Sequence, residues 1–257
     1  HLATIVPVAA PYAGVDFPMS DNMFSDYDIQ WLTFTAGQAS QAAIFGDQSY
    51  WVSVSKKRYL EHLPFRALDT LSGMPSPIFQ TWLKHPMQDA YWDSYNPTEA
   101  QYARIDMPIL TITGIYDGDQ PGALTHYRLH MKNAQARARA KHFLIVGPWD
   151  HAGTRTPLPE FSGLKFGPAS VIDMKALHVA WYDWTMKSGS KPEFLKAPVA
   201  YYVPVAEAWR YAESLDAVTA ESRPMYLDST ASRANDVFAS GSLGASPGKG
   251  APDRYVY

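Results

Sequence analysis

Pro108-Ile-Leu-Thr-Ile-Thr-Gly-Ile-Tyr-Asp-Gly-Asp-Gln-Pro121 and His142-Phe-Leu-Ile-Val-Gly-Pro-Trp-Asp-His151 decide the fold. Each opens with a short apolar run rich in β-branched residues and closes on glycine and polar residues, the pattern of a buried strand running into a loop. The stretch from Pro121 to Met131 between them reads as a helix. Proline in its first turn costs nothing, because the missing N–H would have been unpaired there. Strand, helix and strand at this spacing predict a βαβ unit with parallel strands and a right-handed crossover. In such sheets the functional groups gather at the carboxyl ends of the strands, which is where Asp117 and His151 stand, 34 positions apart.

Outward from this unit the texture changes twice. Thr4-Ile-Val-Pro-Val-Ala-Ala-Pro11 reads as a further buried strand. From Asn22 to about Arg104 the pattern is aromatic-rich and helical, as in Tyr27-Asp-Ile-Gln-Trp-Leu and Pro77-Ile-Phe-Gln-Thr-Trp-Leu, with breaks at Pro64, Pro75, Pro86 and Pro97. A helix from about Val171 to Lys187 should end at Ser188-Gly189. After Pro192, Val199–Val203, Trp209–Tyr211 and Pro224–Leu227 are short strand-like runs, read here as the start of an all-β domain. No internal repeat is visible.

Composition narrows the function classes. Twenty-two Lys and Arg against 25 Asp and Glu give a formal charge of −3 with no basic run, which argues against a nucleic-acid partner. The absence of Cys excludes disulfide scaffolds, thiolate zinc sites and cysteine nucleophiles. No apolar run approaches the roughly 20 residues of a membrane helix, so no membrane partner is expected.

Asp117 and His151 fit the acid and base of a catalytic triad. The histidine would take a proton from a nucleophile, and the carboxylate would fix its tautomer and stabilise the imidazolium. Taken by spacing alone, a turn Asp and a surface His, each common after strands, are the more ordinary reading. The words around them add more. Gly-Ile-Tyr-Asp117-Gly-Asp and Gly147-Pro-Trp-Asp-His151 resemble the acid and base motifs of the cocaine esterase, X-Pro dipeptidyl-peptidase and α-amino-acid ester hydrolase superfamily. Val8-Ala-Ala-Pro11, Leu63-Pro-Phe-Arg-Ala-Leu-Asp69 and Tyr102-Ala-Arg-Ile-Asp-Met-Pro108 are similar to it as well.

The resemblance implies an α/β class chain: a partial α/β-hydrolase core with an inserted helical cap, followed by the beginning of an all-β jelly roll. The expected divisions are core at 1–21, cap at 22–104, core at 105–190 and the start of the jelly roll at 191–257. It also implies catalytic roles for Asp117 and His151. Asp119 falls on one position of an acidic cluster that binds a substrate α-ammonium group in the ester hydrolases. Asp21 or Asn22 could add another member, whereas Gln120 stands where a further acid is expected. On the residues alone, Asp119 is equally a helix N-cap before Pro121.

One departure is large. The superfamily's Gly-x-Ser-Tyr-x-Gly nucleophile elbow and its upstream oxyanion-hole Tyr have no counterpart here, so this chain is expected to be a carboxyl-terminal part whose missing amino-terminal segment supplies both. Gly244-Ala-Ser246-Pro-Gly248 matches the bare elbow pattern, but Pro247 has no N–H to offer an oxyanion, and a flexible loop is the better reading. His126 and His130 have i, i+4 zinc spacing without the Glu or third ligand of a zincin, which favours a solvated helix face. Trp31, Phe34, Trp51, Phe79, Trp82, Tyr91 and Trp92 could line an acyl pocket, though ordinary packing explains each more simply.

The function expected of the complete protein is a serine hydrolase that cleaves esters or amides of small acyl groups through an acyl-enzyme. Its partner would be a small-molecule ester or peptide. No metal or organic cofactor is implied, and compartment is left open. The alternative is a non-catalytic fragment or ligand-binding module, because the chain lacks the nucleophile.

Overall fold

The computed structural model describes residues 2–36, 43–219, 221–228 and 242–248. Two compact units divide the chain, one to Glu213 and the other from Ser214.

In the first unit, β1 (Met19–Ser20) and β2 (Met23–Phe24) form a small antiparallel hairpin. Among the described residues six α-helices follow: α1 (Asp28–Thr35), α2 (Gln48–Leu60), α3 (Leu68–Leu71), α4 (Pro77–Trp82), α5 (Ala90–Asp93) and α6 (Glu99–Tyr102). Their limits follow local chemistry. Asp47, Ser76 and Asp89 cap α2, α4 and α5 by accepting backbone N–H bonds, and Thr98 with Gln101 forms a complete capping box on α6. The prolines at 64, 75, 86 and 97 fall in the gaps between helices, as expected of residues that cannot donate to a helical ladder.

Helices α1 to α5 share one core of Ile29, Trp51, Val54, Leu68, Phe79, Trp82 and Trp92, joined by Met19 of β1. Buried Asp69 ties it together from inside the Leu63–Asp69 stretch. Its carboxylate accepts from the Thr70 N–H at 2.7 Å, the Ser76 N–H at 2.9 Å and the Gln80 amide at 2.9 Å.

The remaining elements of the unit are β3 (Ile109–Gly114), α7 (Gln120–Asn133), α8 (Ala136–Arg139), β4 (His142–Gly147), β5 (Glu160–Phe161), β6 (Leu164–Lys165), α9 (Met174–Lys187), β7 (Val199–Val203) and β8 (Ala208–Ala212). The central sheet has the order β3-β4-β7-β8. β3 and β4 are parallel, with Ile109 opposite His142 and Gly114 opposite Gly147, as the sequence predicts. Thr4–Pro11 lies along the far side of β3, joined by parallel bridges at Ile5 and Val8 rather than by a continuous ladder. Pro7 is the cause: its carbonyl accepts from Ile112 at 2.9 Å, but it has no N–H to return.

Strand alternation splits the side chains of β3 and β4 between two faces. Leu110, Ile112, Phe143 and Ile145 join Met174, Leu177 and Trp181 of α9 in a second core, while Thr111 and His142 meet α7 on the opposite face. Trp181 also donates its indole N–H to Thr4 at 2.9 Å, and Thr4 donates on to Pro108, so α9 fastens the segment 4–11 to the start of β3. The helix ends as the sequence predicts, with Ser188 in the left-handed region at φ 62°.

One expectation is corrected. The runs at 199–203 and 208–212 do not begin a separate all-β domain: β7 pairs parallel with β4, and β8 pairs antiparallel with β7. Strand-like runs look alike whichever sheet they join, so the pattern could not show that these two extend the core. In the second unit β9 (Tyr226–Asp228) and β10 (Ser242–Gly244) pair antiparallel. Residues 229–241 and 249–257, also assigned to the expected jelly roll, lie outside the described residues.

Candidate active site

Two glycines explain why the loops after β3 and β4 meet. A Cβ on Gly114 would lie 2.0 Å from the Trp149 carbonyl oxygen, and one on Gly147 would lie 2.2 Å from the Trp149 ring. Only glycine permits that approach. The Ile115 N–H then donates to Gly147 at 2.8 Å and the Tyr116 N–H to Trp149 at 3.0 Å, so the sheet ladder continues into the two loops. Trp149 is buried under this contact and anchored by its indole N–H to Ser170 at 3.0 Å. Beyond it, the Asp150 side chain accepts from the Gly153 N–H at 2.7 Å and the Thr154 hydroxyl donates to the His151 carbonyl at 2.7 Å. These bonds fix the backbone that presents His151.

His151 Nδ1 lies 3.1 Å from Asp117 Oδ1 and 3.3 Å from Asp119 Oδ2. A carboxylate can only accept, so Nδ1 carries the hydrogen and Nε2 holds the free lone pair. Nε2 has no hydrogen-bond partner among the described residues. The Asp117 side chain is fully buried, and that of His151 is 48% exposed. Asp117 Oδ1 also accepts the Asp119 N–H at 3.1 Å, while its Oδ2 is buried without a hydrogen-bond partner among the described residues.

These groups form one wall of a cavity of about 870 Å³, shared with Asp16, Asp28, Trp31 and Trp82. Among the described residues, no Lys or Arg lines it. Negative charges held together out of water resist ionisation. Burial, then the charges of Asp117 and Asp16, push Asp119 up to about 6 against the pull of His151. Burial, then Asp119 and Asp26, push Asp28 up to about 7.

Asp119 occupies the N-cap position of α7 but makes no side-chain capping bond. That task falls to Asp16, whose carboxylate accepts the Gly122 N–H in the first turn of α7 and the Tyr12 N–H at 2.8 Å. A Cβ on Gly122 would come within 2.3 Å of Tyr12 N, so glycine is again what lets the loop in. Asp21 and Asn22 are not brought to the cavity. They are exposed, with φ of 50° and 64°, in the two-residue turn joining β1 to β2, a geometry Asp and Asn tolerate.

Sequence reasoning missed Asp16 and Asp28. A glycine placed directly after Pro121 in a helical first turn was a usable sign that another segment docks there. An Asp in the first turn of α1 carried no such sign, because that is where helices favour acids anyway.

His126 and His130 are neither a solvated face nor a zinc pair. His126 Nε2 donates to the Pro11 carbonyl at 3.1 Å and Nδ1 accepts the Tyr102 hydroxyl at 2.6 Å. His130 is buried, with Nε2 on the Ile105 carbonyl at 3.2 Å and Nδ1 on His142 at 2.9 Å. Both rings pack inward from α7, which i, i+4 spacing alone does not reveal. Among the described residues, Asp117, Asp119 and His151 form a set compact enough for one cation, with donor atoms within 4.8 Å. A cation there would take the place of the proton that Nδ1 directs at Asp117.

Of the seven aromatics, Trp31 and Trp82 line the cavity, and Trp82 also belongs with Trp51, Phe79 and Trp92 to the helical core. Tyr91 stacks on His85 at 4.2 Å, and Phe34 is exposed. Gly244 ends β10, and residues 245–248 continue as an exposed stretch bent at Ala245 and Ser246.

The model of the X-Pro dipeptidyl-peptidase (S15) family matches residues 1–153, from the first strand through His151. The chain belongs to this family. Among solved structures, this S15 chain is similar to an aminopeptidase from the marine sediment archaeon Thaumarchaeota archaeon, with TM-score 0.61 and 19% identity over 82% of this chain and 35% of that one. It is also similar to an α-amino acid ester hydrolase, with TM-score 0.56 and 18% identity over 95% of this chain and 39% of that one. At these identities the likeness is one of fold. The S15 chain thus spans between a third and two fifths of the structures it matches. No curated protein matches it.

Proposed function

We propose that this S15 chain carries the acid and base of a serine hydrolase that cleaves ester or amide bonds of small acyl groups, with the nucleophilic serine drawn from a part of the protein outside these 257 residues. The contact between His151 and Asp117, 3.1 Å at the carboxyl ends of adjacent parallel strands, carries the reading. His151 Nε2, free to accept, would take the serine proton as the hydroxyl attacks the acyl carbon. Asp117 would stabilise the imidazolium formed. His151 would return the proton to the leaving alcohol or amine, then activate water to release the acid.

The helices between residues 22 and 104 serve in this reading as a cap, with Trp31 and Trp82 on the acyl side of the cavity. Asp119, together with Asp28, offers negative charge suited to an α-ammonium group, as in an α-amino acyl or X-Pro dipeptidyl substrate. The second unit would belong to a jelly roll.

The test uses the full-length protein with a fluorophosphonate probe and a panel of α-amino-acid esters and X-Pro anilides. His151→Ala should lower kcat/KM by at least about 10³-fold and abolish probe labelling. Undiminished turnover in His151→Ala would overturn the assignment.

A further inference from the structure

Asp119 stands where an N-cap should be and does not cap, because Asp16 already satisfies the Gly122 N–H of α7. Its carboxylate turns instead to His151, with Oδ2 at 3.3 Å from the Nδ1 that Asp117 holds at 3.1 Å. Asp117 Oδ1 is meanwhile shared, since it also accepts the Asp119 backbone N–H. We propose that Asp119 is a positioning residue, a second carboxylate that orients His151 and steadies its imidazolium alongside Asp117. The inference rests on the acyl-transfer reading, in which His151 is the base.

The physical argument is one of geometry and charge. Asp117 accepts the Nδ1–H and so holds that tautomer, Asp119 Oδ2 stands at ion-pair distance from the same nitrogen without a hydrogen bond to it, and a ring that becomes cationic gains from both charges. The Asp119 side chain is 25% exposed against 0% for Asp117, so solvent screens it more and its share is the smaller one. Asp16 and Asp28 line the same cavity, but neither makes an ion pair with His151. Burial raises the Asp119 carboxyl to about 6, so at neutral pH it is mainly ionised and able to accept.

The experiment has an activity arm and an arm that needs no turnover. In the full-length enzyme, with an ester that has no amino group, Asp119→Ala should lower kcat about 10-fold at unchanged KM, and Asp119→Glu should restore part of it. Asp117→Ala should cost about 10²-fold. The double variant should show the loss of about 10⁴-fold that follows when a triad histidine loses its carboxylate. If Asp119→Ala raises KM only for substrates bearing an amine and leaves the neutral ester untouched, Asp119 is a substrate ligand alone and the proposal fails.

The second arm reads the His151 tautomer from its ring ¹⁵N shifts at pH 8. The Nδ1–H form should persist in either single variant and be lost in the double. Loss in Asp117→Ala alone, or persistence in the double, overturns the proposal. Should Asp117→Ala not fold, Asp119→Ala still decides through the activity arm: an unchanged kcat on the neutral ester sinks the idea. A full-length enzyme inactive on every ester, with the tautomer pattern as expected, would refute the acyl-transfer reading and leave the positioning role standing.

Discussion

The two ends of β3 and β4 both carry histidines, and they put them to opposite uses. At the carboxyl ends His151 is half exposed, paired with carboxylates and left with a free Nε2. Toward the amino ends His142 is buried and, among the described residues, forms no ion pair with an acid. Its Nδ1 donates to His130 at 2.9 Å, and its Nε2 accepts the Thr111 hydroxyl at 2.9 Å. Because the Ile105 carbonyl can only accept, His130 Nε2 must carry a hydrogen, and the chain from Ile105 to Thr111 closes with both rings neutral. Burial, reinforced by His130, pushes His142 down to about 3. What separates a base from a packing group here is the charge beside it and the access of one nitrogen.

The comparison is most severely broken at Gly114. Replacing it with Ala forces a methyl group into the Trp149 carbonyl, parts the two loops and separates Asp117 from His151. The expected loss is about 3 kcal/mol of unfolding free energy and nearly all activity, checked by urea denaturation and ester turnover. Gly118, one residue beyond Asp117, has open space where its Cβ would be. Gly118→Ala should therefore stay within about 0.5 kcal/mol. Equal effects from the two would mean that loop contact is not what assembles the site.

These two ends also differ in how far the sequence exposed them. The carboxyl end could be read because strand, glycine and acid or base follow one another in the chain, so periodicity alone places Asp117 and His151 on one sheet edge. The amino-end network joins α7, β3 and β4 through residues that look ordinary singly, and nothing in i, i+4 spacing shows whether a face meets solvent or sheet. Asp16 sits beside α7 through a contact spanning 106 positions, beyond any local pattern. For β7 and β8 the strands were legible but their partners were not, because a strand's pattern records what it buries and not which neighbour it joins.

A step smaller is His142→Ala, which leaves His130 Nδ1 and the Thr111 hydroxyl without partners and opens a void. It should cost about 2 kcal/mol, while kcat of the full-length enzyme stays within about twofold. The pH dependence separates this effect from mere loss of volume. A histidine whose folded pKa lies below its unfolded value of about 6.5 contributes stability that is complete above that pH and is lost as pH falls toward the folded value. His142 therefore weakens the wild type between about 6.5 and about 3. Asp28 and Asp119, raised to about 7 and about 6, act with the opposite sign in overlapping ranges, and they act in both proteins. The difference between wild type and His142→Ala should narrow on acidification; a gap constant from pH 7 to pH 4 would mean that His142 is not held neutral.

The smallest effect expected is at Thr111. Thr111→Val keeps the shape of the side chain and removes only the hydroxyl that donates to His142 Nε2, leaving a buried acceptor unpaired at a cost of about 1 kcal/mol. Loss of a hydrogen bond differs from loss of a bonded pair, because the penalty lies mainly in the orphaned partner. Thr111→Val should consequently cost much less when His142 is already Phe than when it is His. A double-mutant cycle measures this as a coupling of about 1 kcal/mol. Full additivity would mean that the hydroxyl and the ring do not interact, and the amino end of the strands would then be held by packing without its polar chain.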